Sequence, residues 1–304
     1  KNEMLDVVNQ LSNYLDNLIG IKGSLGYICI IVAIMIGHKF VNSSSSPHNN
    51  NKNSNNNGVI NTGKTTDDSD SDDDEPDPPR NFTLRQLSYF DGQKDKDGEE
   101  DKPVYLSLGG TVFDVSGGYS FYGPGGPYEL FAGRECGVSL AKMSFDEEYL
   151  DDFESLKDLR HGERIELENW VEKFTYYKSY PVLGKVVPTL PESDRILSKE
   201  DLAVHKGTEE IPEGYGAPPI YVGAGDKVFD VSFGGVLFYG PGCSYHRFAG
   251  VDASRALAKM SFDPADVENN DVSDLTDKQR KTMEDWIKTF HERKNYPIVG
   301  RLEK

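Results

Sequence analysis

The sequence predicts an α+β chain in which one domain occurs twice in tandem, behind a transmembrane helix and a disordered linker. Three observations carry that reading. A long segment repeats itself at an offset of 116 or 117 residues. Strand, turn and helix signals fall in the same order in both copies. An apolar run near the start gives way to a low-complexity tract. At 304 residues the chain has length for about two domains.

From Leu18 to Gly37 the chain is apolar apart from Lys22 and Ser24. Twenty residues at about 1.5 Å each span roughly 30 Å, the thickness of a bilayer core. Lys22 snorkels at one interface and His38 and Lys39 mark the other. We assign 18–41 as a transmembrane anchor. A buried core helix is the competing assignment, and the acidic segment before the run argues against a cleaved signal peptide. Lys1 and Lys22 balance Lys39 and Lys52, so the charges do not set orientation.

Residues 42–79 are assigned as a disordered linker. Asn and Ser supply thirteen of the sixteen residues Asn42–Asn57, which cannot bury enough apolar surface to offset ordering entropy. Gly58 to Thr65 spells the phosphate-loop pattern GxxxxGK[ST]. An Asn/Ser tract precedes it and an acidic run follows it, where a nucleotide site needs a strand and a helix N-terminus. No nucleotide partner is assigned. Ser69 and Ser71, each followed by acidic residues, fit an acid-directed kinase.

The net charge of −18 is uneven: residues 67–101 hold 14 Asp/Glu and four Lys/Arg. With no basic face to displace counterions, nucleic acid is excluded as a partner. Three cysteines (Cys29, Cys136, Cys243) make neither a disulfide framework nor a thiolate metal site.

The repeat sets the domains. Val112-Phe-Asp-Val-Ser116 recurs as Val228-Phe-Asp-Val-Ser232, Phe121-Tyr-Gly-Pro-Gly125 as Phe238-Tyr-Gly-Pro-Gly242, and Ala141-Lys-Met-Ser-Phe-Asp146 as Ala258-Lys-Met-Ser-Phe-Asp263. A period this long means two whole domains. They are placed at 80–187 and 194–304. Thr83 and Ser198 open short helices as hydroxyl N-caps. Val104–Leu108 with Thr111–Val115, and Ile220–Gly223 with Lys227–Val231, read as hairpins. A Gly/Pro-rich loop and several short helices follow. Each domain is expected to close on a helix. Its buried stripe is Leu167, Trp170, Val171 and Phe174 in the first copy, and Met283, Trp286, Ile287 and Phe290 in the second.

Chemistry concentrates in the two Gly/Pro loops, where Tyr122 and Tyr128, and again Tyr239 and Tyr245, stand six apart. Gly and Pro let the backbone curl and approach a ligand. A phenol offers a flat apolar face, a polar handle and, as phenolate, an oxygen ligand for ferric iron. The competing reading is that these rings only pack on the helices. His161, His205, His246 and His291 do not fall at repeating positions, and HExxH and GxSxG are absent. No catalytic site is assigned.

These residues, FTLRQLSYFDG, VFDVSGGYSFYGPGGPYELFAGRE, AKMSF and the closing W…F…YPVLGK, resemble the membrane-associated progesterone receptor family, whose domain is a cytochrome b5-like haem/steroid-binding fold. Two tandem copies depart from the usual single domain. The resemblance implies non-covalent b-type haem held between the loop and the short helices. The HPGG loop of electron-transfer cytochromes b5 is missing, and a tyrosine is implied as single axial iron ligand: Tyr128 and Tyr245. Tyr122 and Tyr239 are implied to support them. The family's Lys-Tyr pair maps onto Lys178 with Tyr180 and Lys294 with Tyr296, each split here by an inserted residue.

The resemblance also implies steroids as further ligands, haem-thiolate monooxygenases and sterol-pathway enzymes as partners, and self-association through the haem face. It implies a single-pass protein of the endoplasmic reticulum with both domains cytoplasmic. The first copy keeps Gly-Gly-Pro before Tyr128 and the second has Gly-Cys-Ser before Tyr245, then His246, so the first is expected to bind haem better. The alternatives are a cofactor-free interaction scaffold and a secreted or lumenal relative. In the latter, the sequons at Asn42 and Asn81 would be open to glycosylation.

Overall fold

A computed structural model describes residues 77–303 apart from 96, 97 and 99. The anchor expected at 18–41 and all but the end of the linker expected at 42–79 lie outside those residues. Among the described residues no helix is long and apolar enough to cross a membrane.

Each repeat is organised by its hairpin. In the first, β2 (Tyr105–Leu108) and β3 (Thr111–Asp114) are joined by Gly109 and Gly110, both at positive φ (59° and 82°), the backbone that a tight two-residue hairpin turn demands. Side chains alternate across β3. Phe113 and Val115 face a core with Leu106, Phe131, Cys136, Leu140 and Phe174, while Val112 faces Phe82, Leu87 and Val186. The small sheet is thus buried on both faces.

The first sheet runs β1-β4-β3-β2, with β1 (Arg80–Phe82) parallel to β4 (Val182–Val186). The second runs β5-β9-β7-β6-β8, from β5 (Ile196–Leu197), β6 (Tyr221–Ala224), β7 (Lys227–Asp230), β8 (Val251–Asp252) and β9 (Ile298–Leu302). Two sequence expectations need correction. Ala224 belongs to β6 rather than to the turn, and Ile220 forms an isolated bridge to Lys206. Each repeat closes on a strand, β4 or β9, that inserts beside β3 or β7, rather than on the helix.

The helices His161–Glu172 and Asp277–Lys288 carry the expected stripes, but each passes into a π-helical turn, Lys173–Tyr177 and Thr289–Arg293. The deepest stripe residues, Phe174 and Phe290, lie in those turns and are fully buried, while Trp170 and Trp286 pack from the side. Thr83, Ser198 and Thr276 cap their helices with reciprocal side-chain and backbone bonds.

The repeats meet at a polar seam built by the first residues of the first repeat. Asn81 is fully buried; its Nδ2 donates to Ala217 O (3.0 Å) and Ser232 Oγ (2.8 Å). Its Oδ1 accepts from the amides of Gly216 (2.7 Å) and Ala217 (3.1 Å). Its own amide donates to Ser232 O (3.1 Å). Gln86 caps its helix through Oε1 and donates through Nε2 to Phe233 O (2.7 Å) and Lys294 O (3.1 Å) of the second repeat. The side chain of Asn81 is therefore inaccessible in the folded chain.

Two outcomes follow from the seam. Replacing Asn81 by Ala strands the part-buried amide of Gly216 and the buried amide of Ala217, at a cost of roughly 2–4 kcal/mol. Urea unfolding should then separate into two transitions where the unaltered chain shows one. Asp230 accepts from the amides of Ile220 and Ser232 and from Ser232 Oγ, yet its buried Oδ2 has no partner among the described residues. Burial pushes its carboxyl up to about 6. Above the unfolded value near ~4 the native state then holds the extra proton. Stability should therefore fall, by up to about 3 kcal/mol, as pH rises from ~4 to ~6, and stay flat beyond. Asp230→Asn should remove that slope in a pH series of denaturation curves.

Candidate ligand-binding site

The Gly/Pro loop folds back on itself in both repeats: the Tyr128 amide donates to Phe121 O (2.9 Å) and the Tyr245 amide to Phe238 O (3.0 Å). A Cβ on Gly126 would lie 2.5 Å from Phe121 O, so the first loop returns through a bare position that Cys243 fills in the second. It places Tyr122 and Tyr128 together, with ring centroids 6.0 Å apart, and Tyr239 and Tyr245 at 5.7 Å.

The π-helical turn brings in the third phenol. Lys178 and Lys294 end the turns, and Ser179 and Asn295 follow in the left-handed region at φ 51° and 52°. These are the inserted residues that split each Lys-Tyr pair. The reversal directs Tyr180 to within 6.3 Å of Tyr122, and Tyr296 to 5.6 Å from Phe290, which itself lies 6.1 Å from Tyr239. The lysines are exposed and do not enter the cluster; Lys294 Nζ lies over Phe238.

The phenols converge on a bare backbone position. A Cβ on Gly118 would meet Tyr180 Oη at 2.6 Å and the Tyr122 ring at 3.2 Å. On Gly235 it would meet Tyr296 Oη at 2.8 Å and the Tyr239 ring at 3.0 Å. Burial raises the Tyr122, Tyr128 and Tyr180 phenols above their ordinary value, and the neighbouring phenols reinforce the effect at Tyr122. Burial likewise raises Tyr239 and pushes Tyr296 up to about 12. These rings are neutral in the folded chain.

Tyr128, like Tyr122 and Tyr180, is partly exposed, and its hydroxyl makes no hydrogen bond among the described residues. Its ring lies nearly parallel to Phe131 (14°) and Phe145 (23°), a flat aromatic wall. In the second repeat Phe248 and Phe262 stack at 6°, but Tyr245 is tilted by 48° and 54° against them. Position 129 also differs. Glu129 accepts from the Gly125 amide, while its counterpart His246 places Nδ1 2.9 Å from Tyr239 O.

The sequence reading missed the rim. Met143 and Met260 end their helices in the left-handed region (φ 51° and 50°), and with Phe145 and Phe262 they are exposed. A left-handed non-glycine residue costs roughly 1–2 kcal/mol, and both repeats retain it. The signal was the recurrent Ala-Lys-Met-Ser-Phe-Asp, which served only as a repeat marker. A separate groove of about 390 Å³, lined by Leu108, Thr111, Leu167, Val171 and Tyr176, contains none of the site tyrosines.

Comparison with known proteins gives the following. A family model for the cytochrome b5-like haem/steroid binding domain matches residues 86–184 and again 198–303. The Arabidopsis thaliana protein named "Probable steroid-binding protein 3" is 44% identical over 106 residues, 35% of this chain and 97% of its own length. Human membrane-associated progesterone receptor component 2 is 32% identical over 127 residues, 41% of this chain and 53% of its own. The Schizosaccharomyces pombe protein named cytochrome P450 regulator dap1 is 35% identical over 113 residues, 36% of this chain and 63% of its own. A solved Arabidopsis thaliana protein described as having a cytochrome b5 like fold is 37% identical. It covers 38% of this chain and 96% of that one, with a TM-score of 0.31.

The site geometry separates binding from folding. Tyr128→Phe removes a hydroxyl without a protein partner and should shift stability by less than about 0.5 kcal/mol. Tyr122→Ala empties a packed aromatic position and should cost about 3 kcal/mol or more. Urea denaturation of both variants checks the ordering.

Proposed function

Because this chain belongs to the cytochrome b5-like haem/steroid binding family and carries the domain in both repeats, we propose that it is a haem-binding protein whose iron ligands are the phenol oxygens of Tyr128 and Tyr245. The observation that supports this most is the Tyr128 hydroxyl. It is partly exposed, without a hydrogen-bond partner among the described residues, at the edge of a flat aromatic wall with Phe131 and Phe145 and backed by a packed row of phenols. Among the described residues no group of three or more His, Cys, Asp or Glu could hold a metal ion.

Bound haem would supply a ferric iron, which a hard anionic oxygen ligand stabilises against reduction. Tyr122 and Tyr180 support the site by packing as neutral rings; Lys178 and Lys294, exposed at its margin, are available to ligand carboxylates. The same flat apolar wall suits a steroid ring system. Exposed Met143 and Phe145, with Leu237, Phe238, Met260 and Phe262 in the second repeat, give each site an apolar rim suited to a protein partner or a second copy. The names of the human and fission-yeast relatives support a membrane-associated protein that partners haem-thiolate monooxygenases. The apolar run at 18–41 is the proposed anchor, with both domains on the cytoplasmic face of the endoplasmic reticulum.

Titrating the full chain with hemin tests the ligands. The Soret and phenolate charge-transfer bands should appear in the unaltered chain and be lost from a Tyr128→Phe, Tyr245→Phe double variant that still folds. An unchanged spectrum in that variant overturns the assignment. No uptake by the unaltered chain overturns the haem reading and leaves an interaction scaffold.

A further inference from the structure

The two sites differ in one respect that neither repeat contains by itself. Arg80, the first residue of β1, lays its guanidinium against the second repeat. A Cβ added to Gly234 would lie 2.8 Å from Arg80 Nη1 and 3.2 Å from Cζ, so the loop at Gly234 (φ 116°) is bare where the guanidinium rests. The next residue is Gly235, over which Tyr296 Oη and Tyr239 converge. The guanidinium thus rests one residue along the chain from the position that the second phenol row closes over. In the first repeat the counterpart Gly117 meets nothing within 4 Å.

Arg80 has no carboxylate to pair with among the described residues, and its buried Nε has no hydrogen-bond partner. Its compensation in the folded chain is the face of Phe82, 4.0 Å from Cζ. A cation over a phenyl ring is worth about 0.5–2 kcal/mol. Burying a cation costs several. A guanidinium held in this way, over a glycine and without an anionic partner among the described residues, is an incomplete anion site.

Resting on the haem reading above, we propose that Arg80 of the first repeat completes the site of the second, and that this site takes a flat apolar ligand carrying a carboxylate, which the guanidinium and Tyr296 Oη receive together. The second site then exists as a whole only in the tandem chain. Asn81 and Gln86, bonded to residues 216, 217, 232, 233 and 294, fix the segment that presents Arg80. The first site has no such wall and is open at Tyr180.

Hemin and its dimethyl ester separate the possibilities, because they share the ring and differ in the carboxylates. In the full chain, with the first site silenced by Tyr128→Phe, the second site should bind hemin at least tenfold more tightly than the ester. Arg80→Gln should remove most of the advantage of hemin over the ester, leaving what Lys294 contributes, and Arg80→Lys should restore part of it. Hemin binding and ester discrimination unchanged by Arg80→Gln overturn this proposal alone. Should Arg80→Gln split the unfolding transition, the comparison in the Arg80-intact chain decides, and equal affinity for hemin and ester overturns the proposal. Hemin binding at neither site overturns it together with the haem reading.

Discussion

The tandem depends on the buried carboxamide of Asn81. An asparagine offers two donor hydrogens and an acceptor oxygen, and in a dry environment each unmade bond costs about as much as a good one contributes. Here both hydrogens and the oxygen are used, and all their partners lie 135 to 151 residues away in the second repeat. The backbone around it is equally constrained. A Cβ on Gly184 would sit 1.8 Å from Arg80 O, and one on Gly216 would sit 2.6 Å from Lys185 N. Three segments therefore meet at van der Waals distance around one amide, and only glycine lets them. β1 serves its own sheet through β4 and the neighbouring repeat through its side chains.

That seam makes the copies unequal where their sequences are nearly the same. Asp114 and Asp230 occupy the same position in Val-Phe-Asp-Val-Ser. Asp114 stays partly exposed, whereas Asp230 is buried beneath Ser232 and Asn81 and holds its proton to higher pH. Tyr180 and Tyr296 end the same kind of turn, yet Tyr296 is only 4% exposed while Tyr180 remains half-open. One residue more in the second copy accompanies the difference. Ser116 and Ser232 are 116 apart, Gly117 and Gly234 are 117 apart, and Phe233 is the insertion between them. Its carbonyl receives Gln86, and its ring fills the second core beside Tyr215.

What the sequence revealed was what is local or repeated. The hairpins, the hydroxyl caps at Thr83 and Ser198 and the tyrosine loops depend on neighbours a few residues apart, and the repeat displayed each of them twice. What stayed hidden depends on distant pairing. β1 joins β4 across a hundred residues through three paired positions, too few to leave an alternation. The closing strands were overshadowed by the stronger helical stripe before them. That stripe was itself only half informative. Phe174 follows Leu167 at i+7, as an α-helix requires, but the chain has already loosened into a π turn there, and this is what turns Tyr180 toward Tyr122. Asn81 was legible only as a sequon and Arg80 only as a charge at a domain entrance, because a seam between repeats has no periodicity of its own.

The phenol rows show why one motif can serve two different sites. In each row burial keeps the inner rings neutral, since a phenolate there would lose its hydration without a compensating cation. In the first repeat burial raises Tyr128, at the outer end of the row, as well. The second repeat has the same outer tyrosine and, at the opposite end, the guanidinium of Arg80 working against the burial of Tyr296. A row of like groups with a cation at one end is polarised, and a row without one is not. The difference is made by a residue outside the repeat that it alters, so it belongs to the tandem and to neither domain alone.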